Sequence, residues 1–192
     1  MKAFRITEER VQDDIYVSQA ETADTEAIMS LLHRTAAWLH SKGSTQWNEL
    51  LQGVDVHGMA DSIAKGDVFV FKRGSDPAAV IILLQQPSAW DRELWSSLGD
   101  KGEAGHGESI YLHRLAIDRA FAGSQLGHAV LHWVETGIRF PGKRRLRLDC
   151  RADVPALNAF YRAAGYTFQG EISKGYLLFE KELPRNNIQN TR

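Results

Sequence analysis

The chain has one cysteine, no long hydrophobic run and a formal net charge of only -1. A lone Cys150 excludes an internal disulfide framework and any multi-cysteine metal site. A reducing, cytoplasmic compartment is the natural reading of that usage. The longest apolar run, residues 78–84, is far too short to span a bilayer. The opening M-K-A-F-R-I-T-E-E-R has no apolar core of a signal peptide. No membrane partner is therefore expected, and the absent basic field argues against nucleic acid. Metal-ligand spacing is also missing among the seven histidines. His128 and His132 stand at i, i+4 but have no apparent third ligand, so no metal is predicted. There is no internal repeat, no low-complexity tract and no acidic cluster that would suit a polyamine or an aminoglycoside.

What is present is ordinary globular material. A length of 192 residues with 43% hydrophobic and 24% charged side chains suits a single domain with its own core. Residues 1–13 read as a polar extension outside that core and 184–192 as a polar tail, leaving a domain over 14–183. Periodicity predicts a strand at 15–17, then a helix with Ile28, Leu31, Leu32, Thr35 and Leu39 on one face, ending near Gly43. A second helix is expected over 56–65, and a hairpin from 68–72 and 78–85. Residues 89–98 read as one or two helical turns and 101–107 as an exposed glycine-rich loop. A strand over 110–117, a helix over 125–137 and a strand over 145–150 form a βαβ unit. A helix over 154–164 and strands at 166–169 and 176–180 close the order. This is an α/β pattern with a mixed central sheet of about six to seven strands and about four helices.

Two segments carry chemistry. The turn F-A-G-S-Q-L-G-H-A, residues 121–129, joins a strand to a helix N-terminus. Unpaired amides and the helix dipole make such a junction an anion site, and glycines let the backbone approach phosphate oxygens. The helix of N-A-F-Y-R-A-A-G-Y, residues 158–166, sets Asn158 and Tyr161 three apart and so near one face, with Phe160 turned toward the core. An ordinary βα turn and a packing tyrosine are the plainer readings of each segment alone.

Taken together, the two segments resemble the GNAT superfamily of N-acetyltransferases. L-A-I-D followed by A-G-S-Q-L-G-H-A resembles the family's acyl-CoA motif Q/R-x-x-G-x-G/A, and N-A-F-Y-R-A-A-G-Y resembles its later N…F-Y-x-x-x-G-F motif. The likeness spans roughly residues 15–181. Two positions depart from the pattern: Ala122 replaces the usual Arg or Gln, and Gln125 stands where the first motif glycine belongs. A non-glycine there requires a backbone that avoids the glycine-only conformation.

The resemblance implies a GNAT-like fold, acetyl-CoA as acyl donor and the following roles. Leu115, Ala116 and Ile117 would pair with the pantetheine arm through backbone groups. Ala122, Gly123, Ser124, Gln125, Leu126, Gly127 and His128 would cradle the pyrophosphate. Asn158 would contact the coenzyme arm, and Tyr161 would protonate the leaving thiolate. His113 is the first candidate base, since it titrates near neutrality and alternation sets it on one face with Tyr111 and Leu115. Glu108 is the second. The aromatic side chains Trp38, Trp47, Trp90 and Trp95, with Gln46, are candidates for the acceptor pocket, although core filling is the plainer fate of each.

The expected activity is direct transfer of acetyl to a primary amine of a small molecule. Protein or peptide acetylation and a non-catalytic acyl-CoA-binding module are the alternatives. Dimers are common in this fold, which leaves a homodimer open, though no residue argues for one.

Overall fold

The computed structural model describes residues 4–55 and 58–184. Among these described residues are ten strands and seven α-helices. The chain divides into two compact units, each built from separated segments: residues 8–83 with 112–133, and residues 1–7 with 84–111 and 134–192.

The first unit has four antiparallel strands in the order β2 (Arg10–Gln12), β3 (Ile15–Gln19), β4 (Val68–Arg73) and β5 (Asp76–Leu84, whose last residue falls in the other unit). Each neighbouring pair is in antiparallel register, with Val17 opposite Phe71 and Val70 opposite Val80. β4 is buried along Val68–Phe71 and β5 along Ala78–Leu83, so both read as continuous apolar runs and neither alternates. Between β3 and β4 run α1 (Thr25–Ser41), the short α2 (Asn48–Leu51) and α3 (Met59–Lys65). α1 buries Ile28, Leu31, Leu32, Thr35 and Ala36, the stripe that periodicity predicts. The predicted start of the helix after it, Val56 and His57, lies outside the described residues.

In the second unit β6 (Ser109–Ile117, shared with the first unit from Leu112 on), β8 (Arg145–Arg151), β10 (Tyr176–Glu182) and β9 (Thr167–Ile172) follow in that order. β6 and β8 are parallel, with Tyr111 opposite Arg147, and the other two pairings are antiparallel. The expected βαβ unit is thus present, its connection being α6 (Leu126–Thr136). α7 (Pro155–Ala163) begins on Pro155, whose missing N–H costs nothing in a first turn.

Three expectations need correction. Residues 5–12 are not outside the folded chain. Arg5–Ile6 form β1, paired with β7 (Ile138–Arg139), while Arg10–Gln12 pair with β3. Polar composition misled here because these are short edge strands, which need few apolar residues. The helices exceed four because α2, α4 (Ala89–Ser96) and α5 (Asp100–Ala104) are too short to show a clear period.

The glycine-rich 101–107 segment is not an exposed loop either. α5 and a 3-10 turn at His106–Glu108 fill it, with Gly102 and His106 buried. Its glycines make room for other groups. A Cβ on Gly102 would lie 1.8 Å from the Trp95 carbonyl oxygen, and one on Gly105 1.9 Å from an Arg147 nitrogen.

Candidate active site

The turn between β6 and α6 is built entirely within the first unit. Asp118 ends the strand and caps a 3-10 turn over Arg119–Phe121, its carboxylate accepting from the Ala120 amide at 2.9 Å and pairing with Arg34 at 2.5 Å. Two left-handed residues follow: Gly123 at φ 79° and Gln125 at φ 62°. Ser124, between them, donates its amide and its hydroxyl to the Phe121 carbonyl, at 3.2 and 2.7 Å. From behind, the Gln12 side-chain amide donates to the Ser124 carbonyl at 2.8 Å.

Gln125 sits in the left-handed well, which is open to a side chain at about 1–2 kcal/mol, so its backbone avoids the glycine-only conformation as a non-glycine at that position requires. The Ala129 amide donates to the Gln125 carbonyl at 3.1 Å, so the amides of Leu126 and Gly127 precede any intrahelical acceptor. Unpaired amides at the positive end of an eleven-residue helix suit an anion in general, and Ala122 adds no cationic side chain to them. The helix behind the turn is held firmly. Trp133 packs on Phe69 and Phe71, 5.7 and 5.3 Å between centroids, and donates its indole N–H to the Glu8 carbonyl at 2.6 Å.

On β6 the residues expected to meet the coenzyme arm lie just before this turn: Leu115 and Ile117 are half-buried and Ala116 is buried. His113 is half-buried as well. Burial alternates from Leu112 to Ile117, with His113 and Leu115 alike half-buried, although Arg114 between them is left-handed at φ 54°. Tyr111, upstream of it, is fully buried and its hydroxyl contacts the His106 imidazole.

The second unit holds the tyrosine. Tyr161 lies on α7 and is 6% exposed, with its ring against Tyr166 and Phe179 at 5.9 Å each. Phe160, expected to be the core member of the pair, is only half-buried. Burial, reinforced by Cys150 and Asp149, pushes the Tyr161 phenol well above its ordinary range, so it keeps its proton at any physiological pH. Burial likewise pushes the Cys150 thiol up to about 12, which leaves it a poor nucleophile. Asn158, one turn before, accepts from Arg162 Nε at 2.7 Å, which fixes its side-chain amide. Glu108 ends the 3-10 turn before β6, half-exposed and 3.8 Å from Arg144.

The tryptophans divide between roles. Trp95 is core and lies under the Arg147 guanidinium at 4.1 Å. Trp38 is half-buried beneath Arg119 at 3.9 Å, and Trp47 half-buried over Arg114 at 5.6 Å. Trp90 meets Tyr176 edge-on at 5.1 Å.

The parallel β6–β8 pair joined by α6 and followed by α7 is the α/β arrangement of an acyltransferase. The chain belongs to the GNAT family of acetyltransferases, whose sequence pattern matches residues 32–166. It is 54% identical over 183 residues to an uncharacterized N-acetyltransferase, YesJ, of Bacillus subtilis (strain 168), covering 95% of this chain and 98% of that one. A GNAT-family acetyltransferase structure from Listeria monocytogenes superposes with a TM-score of 0.70 at 32% identity, over 88% of this chain and 95% of that one. PaiA N-acetyltransferase from Thermoplasma acidophilum, solved with coenzyme A, shares the fold at a TM-score of 0.66 and 13% identity, over 88% of this chain and 99% of that one.

Proposed function

We propose that this N-acetyltransferase moves the acetyl group of acetyl-CoA to a primary amine of a small molecule, by direct attack within a ternary complex. The observation that supports this reading is the turn at residues 122–128, where left-handed Gly123 and Gln125 lead into the first, unpaired amides of α6. Coenzyme A in the PaiA complex, and acetyl-CoA bound to the YncA acetyltransferase of Salmonella typhimurium, support the choice of donor.

Amides from Gly123 to His128 take the pyrophosphate, while Leu115–Ile117 offer backbone groups to the pantetheine arm as a neighbouring strand would. Asn158 steadies that arm. The amine enters neutral after losing a proton to His113, or to a water it orients, with Glu108 as the second candidate. Its lone pair attacks the thioester carbon. The C–N bond forms, the C–S bond breaks, and the thiolate takes the Tyr161 proton. A phenol held neutral by burial supports that role, because it always has the proton to give. An acyl-enzyme on Cys150 is disfavoured by a thiol pushed up to about 12.

Calorimetric titration with acetyl-CoA tests the donor, and Tyr161→Phe tests the acid. One-to-one binding is expected in both proteins, with kcat lowered in the variant by about 10²-fold or more. Undetectable acetyl-CoA binding would overturn the reading. Binding without turnover of any amine by the unaltered protein would instead favour an acyl-CoA-binding module.

A further inference from the structure

Arg114 is the most anomalous residue of the first unit. It is 7% exposed, lies inside β6, and has a left-handed backbone. Among the described residues, its Nε and Nη1 have no hydrogen-bond partner. The nearest carboxylate, Asp55, is 3.9 Å from Nη2, within ion-pair range and beyond hydrogen-bond range. Asp55 Oδ1 is itself buried and lacks a hydrogen-bond partner among the described residues. The Trp47 ring covers the guanidinium at 5.6 Å, and Trp47 is left-handed too, at φ 64°. A buried guanidinium normally satisfies its five donors, and leaving them unmet costs more than almost any other buried polar arrangement. Asp55 offsets the charge without accepting those hydrogens.

We propose that Arg114 is the anchor for a carboxylate on the acceptor, so that the amine acetylated belongs to a free amino acid or a closely similar amino-carboxylic acid. This rests on the acetyl-transfer reading above and narrows its acceptor. A carboxylate is planar and offers two oxygens to a planar donor set, which is the match a guanidinium makes best. Lying in the guanidinium plane, it accepts from Nη1 and Nη2 across the end of the fork and so supplies the acceptor that Nη1 lacks. Arg114 follows His113 directly and precedes Leu115–Ile117. An acceptor held there by its carboxylate carries its amine two bonds from the carboxyl carbon, close to the strand assigned to the coenzyme arm.

The test compares the standard free amino acids with their amides, following thiol release from acetyl-CoA by the full-length protein, Arg114→Gln and Arg114→Lys. Circular dichroism checks that each variant folds. The unaltered protein is expected to prefer its best amino acid over the matching amide by about a hundredfold in kcat/KM, because the amide leaves the guanidinium unmet. That ratio collapses toward one in Arg114→Gln and keeps its sign, at about tenfold, in Arg114→Lys, which retains the charge and loses the fork. A second readout needs no turnover: the amino acids raise the melting temperature of the unaltered protein and not that of Arg114→Gln. A ratio near one, an equal ratio in Arg114→Gln, or neither turnover nor a melting shift with any amino acid overturns the proposal. Because acetyl-CoA binding is measured separately by calorimetry, loss of the donor reading and loss of the carboxylate reading are told apart.

Discussion

Two arginines are buried in strands of this protein, and they live in opposite conditions. Arg147, on β8 of the second unit, is 1% exposed. It donates to Glu180 at 2.8 Å and to the Gly102 carbonyl at 2.7 Å, and it stacks on Trp95. Even the glycines of α5 and its flank are shaped around it. Arg114, on β6, has two nitrogens without acceptors among the described residues and a backbone in a costly conformation. Satisfied buried charge belongs to architecture. Unsatisfied buried charge in a strained residue marks a place where folding has been compromised, and such places gather at functional sites.

The comparison can be broken most forcefully at Arg147. Arg147→Met should destabilise the protein by about 3–5 kcal/mol, since Glu180 and the Gly102 carbonyl lose their donor. Chemical denaturation reads the change, and a loss below about 1 kcal/mol would mean that Arg147 is not structural. Gly105→Ala should cost about 1–3 kcal/mol by the same measurement, because the new Cβ meets the guanidinium and something must shift. Arg114→Met is the sharpening counterpart. The guanidinium makes no complete hydrogen-bond set, but its removal leaves Asp55 without its counter-charge, so the loss should be smaller than at Arg147, about 1–2 kcal/mol. Gln125→Gly relieves a left-handed side chain and should stabilise by about 1 kcal/mol, with acetyl-CoA binding retained in calorimetry.

The smallest effect is one of pH. The Cys150 pKa is raised on folding, from the ordinary 9.0 to about 12, so its thiol ionises first in the unfolded chain. Its contribution is fully present below about pH 9 and is lost as pH rises toward about 12. Denaturation midpoints of the unaltered protein should therefore fall faster over that window than those of Cys150→Ala.

Much of the fold was legible. The α1 stripe, the β4–β5 hairpin, the βαβ unit and the helix ending at Gly165 all follow from periodicity and turn chemistry, which are local. The short α4 was read as helical turns over 89–98, but α2 and α5 were not legible as elements, because four or five residues hold too little of a period. The buried 101–107 segment escaped for a different reason. Its glycines look like loop signals, and only the partner Arg147, about forty positions along the chain, explains them.

The candidate site divides along the same line. The turn and the F-Y pair could be found as motifs, and with them the family. Arg114 gave one faint signal, a charge inside an apolar strand, and its meaning lay in Trp47 and Asp55 far away in sequence. By itself, then, the sequence determined the class of protein and the turn motif that pointed to it, because those depend on neighbours a few positions apart. Tertiary structure alone decided that Gln125 is left-handed, that Tyr161 is buried and holds its proton, and that one buried arginine is satisfied while the other is not. Burial and hydrogen-bond satisfaction depend on which distant segments arrive at a side chain, and local patterns do not encode that.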